Sequence, residues 1–317
     1  MEATNTPART GGQILVDSLV AQGVDHVFCI PGESYLAALD AFHDAPVELT
    51  VCRQEGGAAM MADAYGKLTG RPGICFVTRG PGVTNASPGI HIPSQDSTPM
   101  IVFVGQVARD MRHREAFQEL DYKSVFGTMT KWAAEIDDAA RIPEFVHRAF
   151  MTAMNGRPGP VVLALPEDML TDIVAAQAAP VARAVPTAPA PAAMATLSDM
   201  LANAKNPIMV LGGTRWSPQA VADITRFAEA FDLPVGCQFR RQSLFDNTHK
   251  NYAGDVGIGP NPELARRLKE ADVFLLVGGR LGEMSSSSYT ILDIPTPRQT
   301  LVHVHPSAEE IGRVYAP

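Results

Sequence analysis

Short apolar runs alternate with helical stripes along residues 10–172. From Gln13 to Gln22, Leu15 with Leu19 and Val16 with Val20 fall one turn apart on a single stripe, which predicts a helix. His26–Ile30, Val47–Cys52, Ile74–Val77, Met100–Gly105 and Val161–Leu165 read as strands, and Ser34–Phe42 and Glu55–Leu68 as helices. The strand candidates are apolar without alternation, the pattern of strands buried on both faces of a parallel sheet. Strand–helix alternation places the chain in the α/β class.

The pattern changes at residue 173. Residues 173–195 are mostly Ala, Pro and Val, and so many prolines predict an extended interdomain linker rather than a helix. Periodicity then resumes over 196–317: strands at Pro207–Leu211, Asp272–Val277 and Leu301–His305, helices at Pro218–Phe231 and Leu264–Ala271. The expectation is two Rossmann-like parallel-sheet domains with helices on both faces, joined by an Ala/Pro-rich linker.

Composition narrows the function. Of 317 residues, 46% are hydrophobic and 19% charged, an ordinary globular balance for two domains. A net charge of -8 argues against nucleic acid as a partner, because no basic excess exists to neutralise phosphates. The apolar runs are too short to cross a bilayer, so no membrane partner is expected. Met1–Gly12 is polar, lacks the apolar core of a signal peptide, and is expected to be a frayed tail. The four cysteines form no C-x-x-C pair, and they read as reduced core thiols of a cytoplasmic protein.

Candidate chemistry centres on Glu55. It stands in V-C-R-Q-E-G-G-A-A-M-M, where a strand candidate turns into a helix, and Ala58, Ala59, Met60, Met61 and Ala64 are expected to wall it with apolar surface. Ile74–Val77 leads into T-R-G-P-G-V-T-N, a glycine-rich turn at the next strand–helix junction. Taken singly, these are a first-turn glutamate and a turn. Together with F-C-I-P-G-E-S (28–34), F-Q-E-L-D (117–121) and G-R-P-G-P-V-V-L-A-L-P-E-D (156–168), they resemble the thiamine diphosphate-dependent enzymes, acetolactate synthase large subunits above all.

The resemblance implies that Glu55 hydrogen-bonds N1' of the cofactor's aminopyrimidine and is catalytic. It places Pro31, Gly32, Thr78, Pro81 and Asn85 beside the cofactor and turns Gln118 toward its reacting end. Residues 10–172 would then be the pyrimidine-binding domain and 196–317 a truncated central domain. The diphosphate-binding domain, with the G-D-G motif that carries Mg2+, is absent from this sequence. The implied activity is decarboxylation of a 2-keto acid with carboligation, two pyruvates giving 2-acetolactate for branched-chain amino acids. The chain alone is expected to be inactive, a fragment needing a homo-oligomer or a complementing diphosphate-domain chain. Glu33 and Glu167 depart from the synthase pattern and leave a 2-keto acid decarboxylase, an acyl-CoA lyase or a non-catalytic partner subunit as alternatives. Gly278-Gly279-Arg280 is compatible with FAD, whereas His303 and His305 stand where flavin-binding relatives often carry an acid. That His pair has no further metal ligand nearby and is expected to be structural.

Overall fold

The computed structural model describes residues 7–317. They divide into two compact units, one ending at Val185 and one beginning at Pro186.

The first unit opens with β1 (Arg9–Thr10) and α1 (Gly11–Ala21). The frayed-tail expectation fails here: β1 pairs antiparallel with β8 (Ile173–Val174), and the Arg9 guanidinium meets Asp17. Thr10 caps α1, accepting from Gln13 N, while the Gln13 side chain returns to Thr10 N–H. Residues 1–6 of that stretch lie outside the described residues. Then follow β2 (His26–Cys29), α2 (Leu36–His43), β3 (Glu48–Val51), α3 (Glu55–Thr69), β4 (Gly73–Val77), α4 (Pro81–Asp96) and β5 (Met100–Gln106). After them come α5 (Tyr122–Phe126), β6 (Trp132–Glu135), α6 (Ile142–Met154) and β7 (Pro160–Pro166).

Six of these strands form one parallel sheet in the order β3-β2-β4-β5-β7-β6. Every residue of β4, β5 and β7 is buried, so the unalternating apolar runs have the physical cause inferred from them. Side chains leave each strand alternately to two cores. Phe76, Phe103, Val161 and Leu163 pack with Leu15, Leu19 and Phe150 from α1 and α6. Cys75, Val77, Val102 and Val104 pack with Ala58, Val83, Ile90 and Phe126 from α3, α4 and α5. On the first face Phe76 stacks on Phe103 at 4.7 Å and meets Phe42 edge-on at 5.4 Å; such pairs add about 0.5–1.5 kcal/mol each beyond burial.

Residues 176–185 have no regular structure yet are tied to this unit. Gln22 Nε2 donates to Pro180 O at 2.9 Å, and Gln22 Oε1 accepts from Ala182 N at 2.7 Å. Asn155 Oδ1 accepts from Val185 N at 2.8 Å.

The second unit holds α7 (Pro191–Asn203), β9 (Ile208–Leu211), α8 (Pro218–Ala230), β10 (Val235–Gln238), β11 (Tyr252–Val256), α9 (Pro262–Glu270), β12 (Val273–Val277) and β13 (Thr300–Val304). Its parallel sheet runs β11-β10-β9-β12-β13. α7 starts inside the stretch expected to be extended, because Pro191 occupies its first turn, where a missing N–H costs nothing. Both units have the doubly wound architecture expected of them.

Candidate active site at the first sheet's switch point

In the first sheet β2 has β3 on one side and β4 on the other. The loops leaving the carboxyl ends of β2 and β4 therefore part toward opposite faces, and a crevice opens between them. The residues singled out in the sequence lie on the loops around it.

Glu55 is the first residue of α3, whose N-cap Gln54 accepts from Gly57 N at 2.9 Å. The helix N-terminus favours a carboxylate there. Glu55 is half-buried. Its Oε2 accepts from Asn85 Nδ2 at 3.2 Å. Its Oε1 lies 3.8 Å from where a Cβ on Gly82 would stand, which sets the carboxylate beside the first turn of α4.

Gly82 in turn touches Thr78: a Cβ there would meet Thr78 Cγ2 at 2.7 Å. Thr78 follows β4 directly and meets the β2 loop twice. A Cβ on Gly32 would stand 2.5 Å from Thr78 Cβ, and the Ser34 and Thr78 hydroxyls are hydrogen-bonded at 3.0 Å. Gln118 arrives from a third loop in a left-handed conformation, φ 65, and its backbone O would lie 2.6 Å from a Cβ on Gly80. The segment 78–85 is thus the spine of the site. It gathers Glu55 and Asn85 at one end, Gly32 at Thr78, and Gln118 at Gly80. Pro31 precedes Gly32, and Pro81 begins α4; both are exposed.

Three expectations need correction or completion. Only Ala58 and Ala59 of the expected apolar wall are buried; Met60, Met61 and Ala64 face outward, because they fall on the opposite side of α3. Glu167 forms an ion pair with Arg79 at 3.3 Å, which gives this acid a charge partner at the edge of the turn. Glu119 was missed: it accepts from His113 N at 2.8 Å, Arg112 Nε at 3.0 Å and Ala116 N at 3.3 Å, closing the loop that carries Gln118. The hydrogen bond to the His113 amide, with those from Arg112 and Ala116, holds its carboxyl below the usual range against a smaller effect of burial. No spacing rule announces such an acid, since all its partners lie within seven residues in an irregular loop.

The second unit's glycines serve a different purpose. A Cβ on Gly212 or Gly279 would stand 1.8 or 2.0 Å from Gln238 Oε1, whose amide donates to Arg280 O at 2.8 Å. Trp216 Nε1 donates to Gly212 O at 2.8 Å, and its ring lies 3.4 Å from a Cβ on Gly278. These side chains meet at the switch point between β9 and β12. His303 Nε2 is paired with Gly279 O at 2.9 Å, and His305 Nδ1 with Ser307 N at 3.1 Å, as structural residues would be. Burial lowers the His303 pKa. Among the described residues, no group of three or more His, Cys, Asp or Glu is placed to hold a metal ion. None of their helices is long and apolar enough to cross a membrane.

Comparison with known proteins agrees with this layout. Residues 9–125 match the model of the thiamine pyrophosphate enzyme N-terminal TPP binding domain, and residues 194–317 match that family's central domain. The chain belongs to the thiamine pyrophosphate enzymes. Within that family it is similar to the acetolactate synthase of Bacillus subtilis, 32% identical over 316 residues, covering 97% of this chain and 54% of the relative. It is equally similar, at 32% over 302 residues, to the acetolactate synthase isozyme 3 large subunit of Escherichia coli, covering 93% of this chain and 52% of the relative. A probable acetolactate synthase large subunit of Methanocaldococcus jannaschii is 29% identical over 310 residues, covering 96% and 52%. The chain spans about half the length of these curated relatives.

Proposed function

We propose that this chain supplies the pyrimidine-binding part of an acetolactate synthase-like enzyme, one that decarboxylates a 2-keto acid and joins the remainder to a second carbonyl. The observation that carries the reading is the half-buried Glu55 carboxylate at the N-terminus of α3, oriented by Asn85 at 3.2 Å. Thiamine diphosphate, when bound, supplies the carbon nucleophile and the electron sink for such chemistry. The protein's own part is acid–base and positional. Glu55 would hold a proton at N1' of the pyrimidine, a role that neither an amide nor a hydroxyl can fill. Asn85 fixes the carboxylate rotamer. Gly32 and Gly82 let the β2 loop and the first turn of α4 close onto Thr78, and Pro31, Thr78 and Pro81 would shape the walls. Gln118 would face the reacting end, where it can donate to a developing oxyanion.

Pyruvate as donor and acceptor, a role in branched-chain amino acid synthesis and an oligomeric assembly follow from the similarity to acetolactate synthases. Magnesium would accompany the diphosphate in the assembled enzyme, and no flavin takes part in the proposal. The free thiols Cys29, Cys52, Cys75 and Cys237 suit the reducing cytoplasm.

The test is complementation. The chain is mixed with a separately expressed diphosphate-binding domain, and products of pyruvate are measured. The reading predicts acetolactate, lost by at least about 10²-fold in Glu55→Gln. Aldehyde in place of acetolactate would move the assignment to a decarboxylase. Confirmed association without turnover, or full turnover by Glu55→Gln, would refute it.

A further inference from the structure

Tyr122 is nearly fully buried, 3% exposed, yet its ring ends in a hydroxyl with two partners. That hydroxyl accepts from Gly80 N at 3.1 Å and donates to Gly105 O at 3.1 Å. Gly80 is the turn between Thr78 and Pro81, and it adopts φ 47, ψ -104, a conformation that strains any other residue. Gly105 lies near the end of β5, and a Cβ on it would stand 1.8 Å from the Ser34 hydroxyl, itself bonded to Thr78. Tyr122 also starts α5, four residues after Gln118. Gln106 Nε2 donates to Leu120 O at 2.9 Å and ties the intervening backbone to the same strand end. One phenol therefore touches the turn of the cofactor-side spine, the sheet beneath it, and the root of the Gln118 loop. Burial pushes its pKa up to about 12, so it stays protonated and keeps both bonds throughout the neutral range.

We propose that Tyr122 is a positioning residue whose hydroxyl couples the Gly80 turn to the Gln118 loop, so that the two sides of the site are set together. The proposal rests on the cofactor reading only for its consequence, since the coupling is a property of the chain itself. The hydroxyl does not touch the crevice; it acts through the Gly80 amide. Removing it leaves a buried N–H and a buried C=O without this partner, and such groups drive local opening.

The experiment is amide hydrogen exchange, read by mass spectrometry on the full chain, for wild type and Tyr122→Phe. Exchange is expected to rise at least about tenfold in residues 78–85 and 112–120 together, with β4 and β5 unchanged, as loss of the hydroxyl's two buried hydrogen bonds would produce in an opening equilibrium. Faster exchange confined to α5 would overturn the proposal. So would a uniform rise through the sheet, no change at all, or failure of the variant to fold, which would make the hydroxyl a general folding determinant. A second readout is saturation transfer to the pyrimidine protons of thiamine diphosphate. Tyr122→Phe is expected to weaken it several-fold in the wild-type background and not at all when added to Gly80→Ala, which breaks the same junction. Additive losses would sink the coupling. Absence of any signal from wild type would instead count against the cofactor reading, while the exchange measurement still decides the coupling.

Discussion

Gly89→Ala tests whether helix packing sets the active-site geometry. Gly89 lies one turn below Asn85 on α4, and it faces Ala59, one turn below Glu55 on α3. A Cβ at 89 would stand 2.5 Å from Ala59 Cβ and 3.0 Å from Met60 N. Carbon atoms settle at about 3.5–4.0 Å, so the two helices must separate by roughly 1 Å. Both sides of the contact are stiff, one a methyl on its own backbone and the other a helix N–H, so no side-chain rotation relieves it. The Asn85–Glu55 bond, already 3.2 Å long, would exceed hydrogen-bonding range. Overpacking of this kind costs about 1–3 kcal/mol, which lowers the melting temperature by roughly 2–12 °C for a unit of this size. The assay pairs thermal melting with saturation transfer from the chain to thiamine diphosphate. The expected result is a lower melting temperature together with loss of most pyrimidine transfer. A destabilised variant that retained the full transfer would show that the α3–α4 spacing does not control the site, and the reasoning from packing to function would be wrong.

Two further predictions concern the supports of the site. Because hydrogen bonds hold the Glu119 carboxyl below its ordinary value, its contribution is complete above the usual carboxylate range and is lost as pH falls through the lowered value. Exchange in residues 112–120 should therefore accelerate as pH falls from about 5 toward 2, beyond its intrinsic pH dependence, and Glu119→Gln should abolish that extra dependence. Lys67 Nζ bridges Asp63 at 2.7 Å and Asp96 at 2.8 Å, tying α3 to α4. Lys67→Met removes the ammonium that the mostly buried Asp63 and Asp96 share, and at about 3 kcal/mol it should lower the melting temperature by roughly 6–12 °C. An unchanged melt would show that the bridge contributes nothing.

Much of the sheet was legible in the sequence because its strands are buried on both faces and so lack alternation. β6, β10 and β11 escaped notice: β10 and β11 carry glycines, and β6 reads Trp-Ala-Ala-Glu, with alanines in place of branched apolar residues. α4 escaped for a specific reason. Its sequence P-G-V-T-N-A-S-P-G-I-H-I-P-S-Q-D contains two interior prolines, Pro88 and Pro93, and reads as loop. Burial of Val83, Ala86, Ile90 and Pro93 against the sheet and α3 outweighs the missing backbone bonds. The site was legible through its glycines and its acid, which the chain spends on close approach. Which side of α3 carries Met60 and Met61 was misread, since six apolar residues in the seven positions 58–64 define no single face. The clasp around Gln118 depends on irregular loop geometry and leaves no periodic trace.

The most direct test of the central claim is the nitrogen-15 shift of N1' in labelled thiamine diphosphate bound to this chain. The account predicts that N1' moves from its free position on binding to wild type, through the bond to Glu55, and that Glu55→Ala removes this displacement. Saturable binding with N1' at its free position, or a displacement that survives Glu55→Ala, would contradict it.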